Sequence, residues 1–494
     1  MNTTSAWVLT CPAPKAGRII EGFYNAGPII ADDRNGPTPE DTKIQIVAGI
    51  TEQEYEQYIL DLKSAGHQGY LENQIAADRF FAYECGGKHY HVRYCAKRGE
   101  IRVAEEPDYV SPTGFGYQAA GPEQTVLYQY GLYYDPNNNM TPKTANCGML
   151  YIIRLSDNSL FMMDGGFHLQ WNEEAAEGLW QFLRQITNTP EGGTVRISAW
   201  YFTHTHADHI DGCVKLLNRH HENIVIERLL FNFPLYAALG GYEVSGYLVK
   251  EQIAKWYPQC KFLKLHAGQK FDLADMGVEV FYAQEDAISE GNMEKFPLRD
   301  GNCMSTVLKL TIGGKTAMML GDTNIEAEAW IAENSDPGPW KSDLVQLAHH
   351  CFNYLDTLYA WIEAPVVLVP NSYGGAHQPE NAPKLAGAEK FVKDGQIWYE
   401  GGGTDGFIAT DDGWKHIAHY DVVGGEYDGS PPLILHKANK EACGTVPQAS
   451  SCFTSYERSS WLCPGFPESP RGRHKETDQN EAAALHNHCP ERSR

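Results

Sequence analysis

Thr203-His204-Thr205-His206-Ala207-Asp208-His209 brings three histidines and an aspartate within six residues. The stretch ahead of it, residues 194–202, is rich in β-branched and aromatic residues and reads as a strand. A strand that feeds such a turn can aim the side chains at 204 and 206 toward one metal ion. The next turn then aims those at 208 and 209 toward a second. Imidazole suits zinc, and a carboxylate adds charge compensation and a hard oxygen ligand. The same four residues would make a poor core and an expensive bare surface. His204, His206, Asp208 and His209 are therefore candidate metal ligands.

Outward from this segment the chain alternates strands and helices. Residues 149–155 and 159–163 read as a hairpin around Asp157-Asn158, and its second arm runs into Asp164-Gly165-Gly166. Asn172 can cap a helix carrying Leu179, Phe182 and Leu183. Strands are expected over 224–230, 261–265, 278–282, 305–311, 316–320, 343–348 and 365–369. Two of them end in chemically suggestive groups, Leu320-Gly321-Asp322 and Leu347-Ala348-His349-His350. Strand blocks with interleaved helices imply a layered arrangement of helices and sheets.

The motifs, taken together and in this order, resemble the metallo-β-lactamase superfamily, whose signature is HxHxDH. The resemblance covers about Asn146 to Asp421. It implies an α+β fold, a four-layer αβ/βα sandwich with the site at one edge of the paired sheets. It also implies a structural role for Asp164, a metal-bridging role for Asp322 and a ligand at His349. The motif pattern is nearest to the competence-protein (DNA-uptake) branch, where a strand-end Gly-Asp precedes a His-His-Gly element. Here that element is His349-His350-Cys351. Better-known hydrolases of the superfamily carry a histidine ligand ahead of the bridging aspartate. This chain reads Asp300-Gly301-Asn302-Cys303-Met304-Ser305 there, similar to the Asn-x-x-Ser of the competence-like branch. Asn302, Asp300 or a water is then expected to complete the first ligand set, with His266 the nearest spare histidine. Redox relatives typically show a glutamate where this chain has His206, so the histidine argues against that class.

The resemblance implies two Zn2+ ions, His204 and His206 on the first, Asp208, His209 and His349 on the second, and Asp322 between them. A hydroxide shared by two zinc ions about 3.5–4 Å apart is the expected nucleophile. Asp208 and His377 are the candidate catalytic residues, His377 at the site mouth to contact substrate or donate a proton. Hydrolysis of a small-molecule or oligomeric ester follows, leaning to phosphodiesters. Lactamase or lactonase activity, or a catalytically weak metal-binding module, are the alternatives.

The rest of the sequence bounds this reading. At 494 residues, more than one domain is expected. These are an extension at 1–42, a small β-α-β-β-β unit at 43–106, a Pro- and Gly-rich linker at 107–142, the hydrolase domain at 143–427 and a disordered tail at 428–494. In the small unit, Thr51 and Glu54 have capping-box spacing, and Tyr55, Tyr58, Ile59 and Leu62 follow on one helical face. Tyr55, Tyr58, Tyr90 and Tyr94 form either the private core of this unit or a face that packs beside the metal domain, restricting access to the site or mediating self-association. His89 and His91 alternate with them and are expected on a wet face.

The net charge of −23 disfavours tight non-specific binding of nucleic acid. No apolar run reaches the roughly 18 residues of a membrane span. The N-terminus lacks the marks of a secretory signal, which points to the cytoplasm. None of the 12 cysteines forms a CxxC pair, so reduced, buried thiols are expected.

Overall fold

The structure is a computed structural model that describes residues 5–25, 41–107, 118–132, 148–166, 173–235, 245–289, 301–352, 355–379, 381–392 and 396–420. The tail at 428–494, most of the expected linker, Asn172 and Asp300 lie outside the described residues.

The N-terminal part runs β1 (Arg18–Ile19), β2 (Phe23–Asn25), β3 (Thr42–Ala48), α1 (Glu52–Ser64), β4 (Gly69–Ile75), β5 (Asp78–Cys85), β6 (Lys88–Cys95) and β7 (Glu100–Pro107). Its strands make one antiparallel sheet, β1-β3-β7-β6-β5-β4, with β2 also on β3. Thr51 begins α1 because its hydroxyl accepts the Glu54 N–H while the Glu54 carboxylate accepts the Thr51 N–H. Tyr55, Tyr58, Ile59 and Leu62 then pack with Tyr83, Tyr90, Val92 and Tyr94 in one buried cluster. The tyrosines thus form the core of this unit. The sheet is larger than expected, gaining β1 and β2 from residues 1–42 and the edge strand β4. The sequence of β4 shows no clean apolar alternation, as suits an edge with little to bury.

The other face of this sheet meets the rest of the chain. Arg93 pairs with Asp286, and Arg102 donates to the carbonyls of Glu285 and Ile288, each at 2.5 Å. His91 is buried rather than wet, its ring stacked 4.5 Å from that of His266.

The remaining elements form two facing sheets. β8 (Val126–Gln129), β9 (Tyr151–Arg154), β10 (Leu160–Met163), α2 (Glu173–Ile186), β11 (Val195–Tyr201), α3 (Ala207–His220), β12 (Ile224–Ile226), β13 (Arg228–Phe231), α4 (Ser245–Trp256) and β14 (Lys261–Lys264) come first. The strand expected over 224–230 is therefore two, β12 and β13. Next come β15 (Lys270–Leu273), β16 (Met276–Tyr282), β17 (Val307–Ile312), β18 (Lys315–Met319), α5 (Ile325–Asn334), β19 (Leu344–Gln346), α6 (Asp356–Ile362), β20 (Val366–Val369), α7 (Tyr373–Ala376), α8 (Ala382–Glu389) and β21 (Ile397–Tyr399). Last are β22 (Thr404–Thr410) and β23 (Gly413–Tyr420). One sheet runs β14-β13-β11-β10-β9-β8-β22-β23, with β12 also on β11, and the other runs β15 to β21 in sequence order.

Between the sheets, Tyr151, Phe161, Ala199 and Leu230 interleave with Val278, Leu308, Leu344 and Leu368. Leu179, Leu183, Ile210, Leu217 and Ile253 of α2, α3 and α4 cover the outside of the first sheet. Ile331, Leu358, Ile362 and Leu385 of α5, α6 and α8 cover the outside of the second. The fold is α+β, a helix–sheet–sheet–helix sandwich with a smaller sheet unit beside it, the layering that the resemblance implied. β10, β11, β13 and β14 run parallel, as do β18 to β21, so their carboxyl ends gather at common edges. Among the described residues no helix is long and apolar enough to cross a membrane.

His266, two residues past the end of β14, lies at the seam between the small sheet and the sandwich. Its Nδ1 is 2.5 Å from Glu285 Oε1 and its Nε2 is 2.7 Å from Glu106 Oε1. Burial opposes a charge on this ring, but Glu285 and Glu106 outweigh it and push His266 up to about 9. A group raised in the folded state stabilises fully below its unfolded value and loses that contribution as pH rises through the folded one. Stability should therefore fall by on the order of 3 kcal/mol between about pH 6.5 and 9.5. Urea unfolding across this range checks it: His266→Gln should flatten the profile, and an equal slope in both proteins contradicts the assignment.

Candidate metal centre

The site begins with Asp164, which follows β10 in the left-handed region at φ 59°. Aspartate tolerates this conformation better than most residues. Its backbone is tied to β11, the N–H donating to Tyr201 O and the carbonyl accepting from Trp200 Nε1. The buried carboxylate accepts from Thr203 N–H at 2.8 Å and from Thr203 Oγ1 at 2.9 Å, and Oδ2 lies 2.7 Å from His209 Nδ1. This contact assigns the His209 proton to Nδ1 and frees Nε2 to act as a ligand. Gly165 completes the docking. A Cβ there would lie 2.8 Å from the Cys213 backbone nitrogen, so glycine lets the first turns of α3 close on this loop.

The other donors arrive at the ends of β11, β18 and β19. Gly321, at φ 58°, turns the chain after β18, and both the Leu320 and Gly321 N–H groups donate to Gln346 Oε1 at 2.8 Å. Asp322 is thereby buried beside His209, with its N–H donating to Ser305 Oγ at 2.9 Å. After β19 the chain passes through three successive left-handed residues, His349, His350 and Cys351, at φ 52°, 48° and 69°.

Asp208, His209, Asp322 and His350 form one donor cluster, their ligand atoms all within 4.8 Å of one another. Asp322 Oδ2 is 3.0 Å from both His209 Nε2 and His350 Nε2, and Asp208 Oδ2 is 3.1 Å from His350 Nε2. The two Nε2 atoms are 3.2 Å apart. His204 adjoins the cluster, its ring 4.2 Å from that of His209 and 4.4 Å from that of His206. Thr203 Oγ1 and Ser305 Oγ hold His204 Nδ1 at 2.9 and 3.3 Å.

The structure places His350, and not the expected His349, among these donors. His349 donates its N–H to Gly321 O and turns its ring to Phe352, 5.7 Å away. The left-handed turn decides which of the adjacent histidines faces inward, and no dipeptide pattern reports it. His377 is also placed apart from the cluster by its contacts. It is exposed, its Nδ1 is 2.8 Å from Tyr373 O, and its ring packs on Tyr373 and Tyr399. His266 belongs to the domain seam. Asn302 is buried in the turn Gly301–Met304, whose carbonyl at 302 accepts from Ser305 N–H. Ser305 itself was not singled out, although the Asn-x-x-Ser pattern contained it, and it touches both His204 and Asp322.

The electrostatics suit a cation. Burial opposes ionisation, yet Asp322, Asp164 and Asp208 push His209 up to about 10, and Asp322 and Asp208 push His350 well up. His209 and His350 in turn hold Asp322 and Asp208 below the usual carboxylate range. Burial, then the charges of His209 and His206, push His204 well down, so its ring is neutral and fit to ligate. His204 Nε2 and Asp322 Oδ1 are both buried without a hydrogen-bond partner among the described residues. A buried acceptor left so costs about 1–3 kcal/mol unless something else engages it. Two such atoms beside a His/Asp cluster fit a bound divalent metal.

The structure is similar to the metallo-beta-lactamase fold protein YhfI from Bacillus subtilis at 13% identity, covering 56% of this chain and 96% of that one, with a TM-score of 0.33. It is similar to Zn(2+)-bound PqqB from Methylobacterium extorquens at 12% identity, covering 56% and 97%, with a TM-score of 0.32. CmlA, a diiron beta-hydroxylase from Streptomyces venezuelae, is similar at 14% identity, covering 56% and 53%, with a TM-score of 0.32. No family model matches the sequence, and no curated protein sequence matches it.

The choice between the adjacent histidines is directly testable. His350→Ala should weaken zinc affinity by more than ~100-fold, beyond what loss of a supporting group alone does. His349→Ala should change it by less than about threefold, within the usual spread of a surface substitution. Competition with a chromophoric chelator measures both, and the reverse ranking contradicts the assignment.

Proposed function

We propose that this chain is a metal-dependent hydrolase, with zinc as its metal and an ester, leaning to a phosphodiester, as its substrate. The observation that carries the proposal is the cluster of Asp208, His209, Asp322 and His350, with His204 Nε2 and Asp322 Oδ1 beside it. Two zinc ions are proposed, His204 and His206 holding one, Asp208, His209 and His350 the other, and Asp322 reaching both. Bound zinc would supply Lewis acidity and a water nucleophile available near neutral pH.

The residues of this chain do the rest. Asp164 keeps the His209 proton on Nδ1. Ser305 and Thr203 orient His204. Asp208 keeps 21% of its side chain exposed, while Asp322 keeps 1%. Asp208 is thus proposed as the catalytic carboxylate of the ligand set that faces solvent and substrate. His377, exposed and outside the ligand set, is proposed as a substrate contact. A small or short oligomeric ester fits the charge of −23 better than a long polyanion does. The cytoplasm, and self-association of the chain, are part of the same proposal.

A second reading, one metal ion without turnover, is favoured by Asn302 standing where better-known hydrolases carry a histidine. Metal content and turnover separate the two. Elemental analysis should find close to two zinc ions per chain. Hydrolysis of bis(p-nitrophenyl) phosphate should stop on chelation, return with zinc, and drop by more than ~100-fold in Asp322→Asn. One tightly held ion and no turnover of phosphodiester, carboxylic ester or lactam would favour the second reading.

Zinc uptake should also release protons. His209 and His350, raised by their carboxylate neighbours, carry protons at neutral pH that a cation must displace. Affinity should therefore strengthen as pH rises from 6 to about 9. Calorimetry in buffers of different ionisation enthalpy reads the protons released, and uptake without any release contradicts the proton-loaded cluster.

A further inference from the structure

The turn that carries His350 is gripped from outside the sandwich. His349, His350 and Cys351 are left-handed one after another and none is glycine, a conformation that persists only where its surroundings over-determine it. Lys384, on α8 and fully buried, donates from Nζ to Ala348 O at 2.8 Å and to Phe352 O at 2.7 Å. These are the carbonyls on either side of the three strained residues. Glu328 of α5, also fully buried, lies 3.6 Å from the same ammonium. Its carboxylate accepts from Leu355 N–H at 2.9 Å and from Tyr359 Oη at 3.2 Å. Tyr359 Oη in turn accepts from Ala348 N–H at 3.2 Å. Asn371, past β20, donates to His350 O at 2.7 Å. Three outer helices thus meet at one backbone turn whose inward product is His350 Nε2.

A buried Lys–Glu pair is a poor way to stabilise a core, because apolar residues of the same volume often do as well or better. Its geometry here is that of a clamp on two carbonyls. We propose that Lys384 is a positioning residue for the metal centre: by holding Ala348 O and Phe352 O it turns His350, rather than His349, onto Asp208 and Asp322. The proposal rests on reading that cluster as the metal site. Glu328 has a subordinate part, holding the ammonium in place.

The test uses the full chain. Lys384→Met alone leaves Glu328 buried without its cation and risks misfolding. The double variant Lys384→Met with Glu328→Gln removes that charge. It should fold, by circular dichroism and thermal melting, yet bind zinc ~10–100-fold more weakly. Its cobalt-substituted form should show an altered d–d absorption spectrum. Glu328→Gln alone should stay within about threefold of the parent, since both carbonyl contacts survive. Arg93→Met with Asp286→Asn removes a comparably buried pair at the domain seam and serves as control. It should lower stability without changing zinc affinity or the cobalt spectrum. Equal zinc affinity in the folded Lys384 double variant and the parent overturns the proposal, as does an equal loss in the seam control. If the parent chain itself binds no zinc, the metal reading falls and this inference falls with it.

Discussion

The buried carboxylate of Asp164 is the constraint on which the site depends. It takes both hydrogen-bond donors of Thr203 and the Nδ1 of His209, so one side chain fixes where β11 ends, how α3 begins and which nitrogen of His209 faces inward. Burial pushes this carboxyl up, and His209 and Thr203 offset only part of that effect. Charge on Asp164 is thus sustained by the groups it organises. Removing any partner would leave a buried polar group unmatched, which ties ligand geometry to the integrity of the fold.

The second organising feature is the shared edge formed by parallel strands. β11, β18 and β19 each lead into a donor: Asp208 on the first turn of α3, and Asp322 and His350 in the turns that follow β18 and β19. The neighbouring ends of β13 and β14 carry Asn232 and His266, which bond to Glu285 and Glu106 instead. The small N-terminal sheet docks there through a polar seam rather than through its tyrosines. Its tyrosines are committed to α1, and its other face meets Asp286, Glu285 and His266, with the Phe80 ring against Gly268. One edge of the sandwich therefore divides between a cluster of candidate metal donors and a domain contact.

Much of this was legible because the chemistry is local. His204 to His209 sit within one strand-to-helix turn, and Asp164 and Asp322 follow apolar strands with glycine beside them. The layering of strands and helices followed from periodicity, and the α+β sandwich from the resemblance that those motifs carry. What stayed hidden depends on backbone conformation or on distant partners. The choice of His350 over His349 follows from three positive φ values that no residue type there announces. Ser305, Asn371 and Lys384 act on the site through contacts spanning 101, 21 and 36 positions of sequence. His91 read as a wet-face residue because alternation reports two faces of a strand, and here a second sheet covers the polar one.

Anomalous diffraction at the zinc edge, from crystals of the full chain grown with zinc, locates the metal against named ligand atoms. One peak is expected about 2.0–2.2 Å from His209 Nε2, His350 Nε2 and an Asp322 oxygen, and a second at His204 and His206. Peaks at His349 or at the His266 seam, or a featureless map at the Asp208–His209–Asp322–His350 cluster, would contradict this placement.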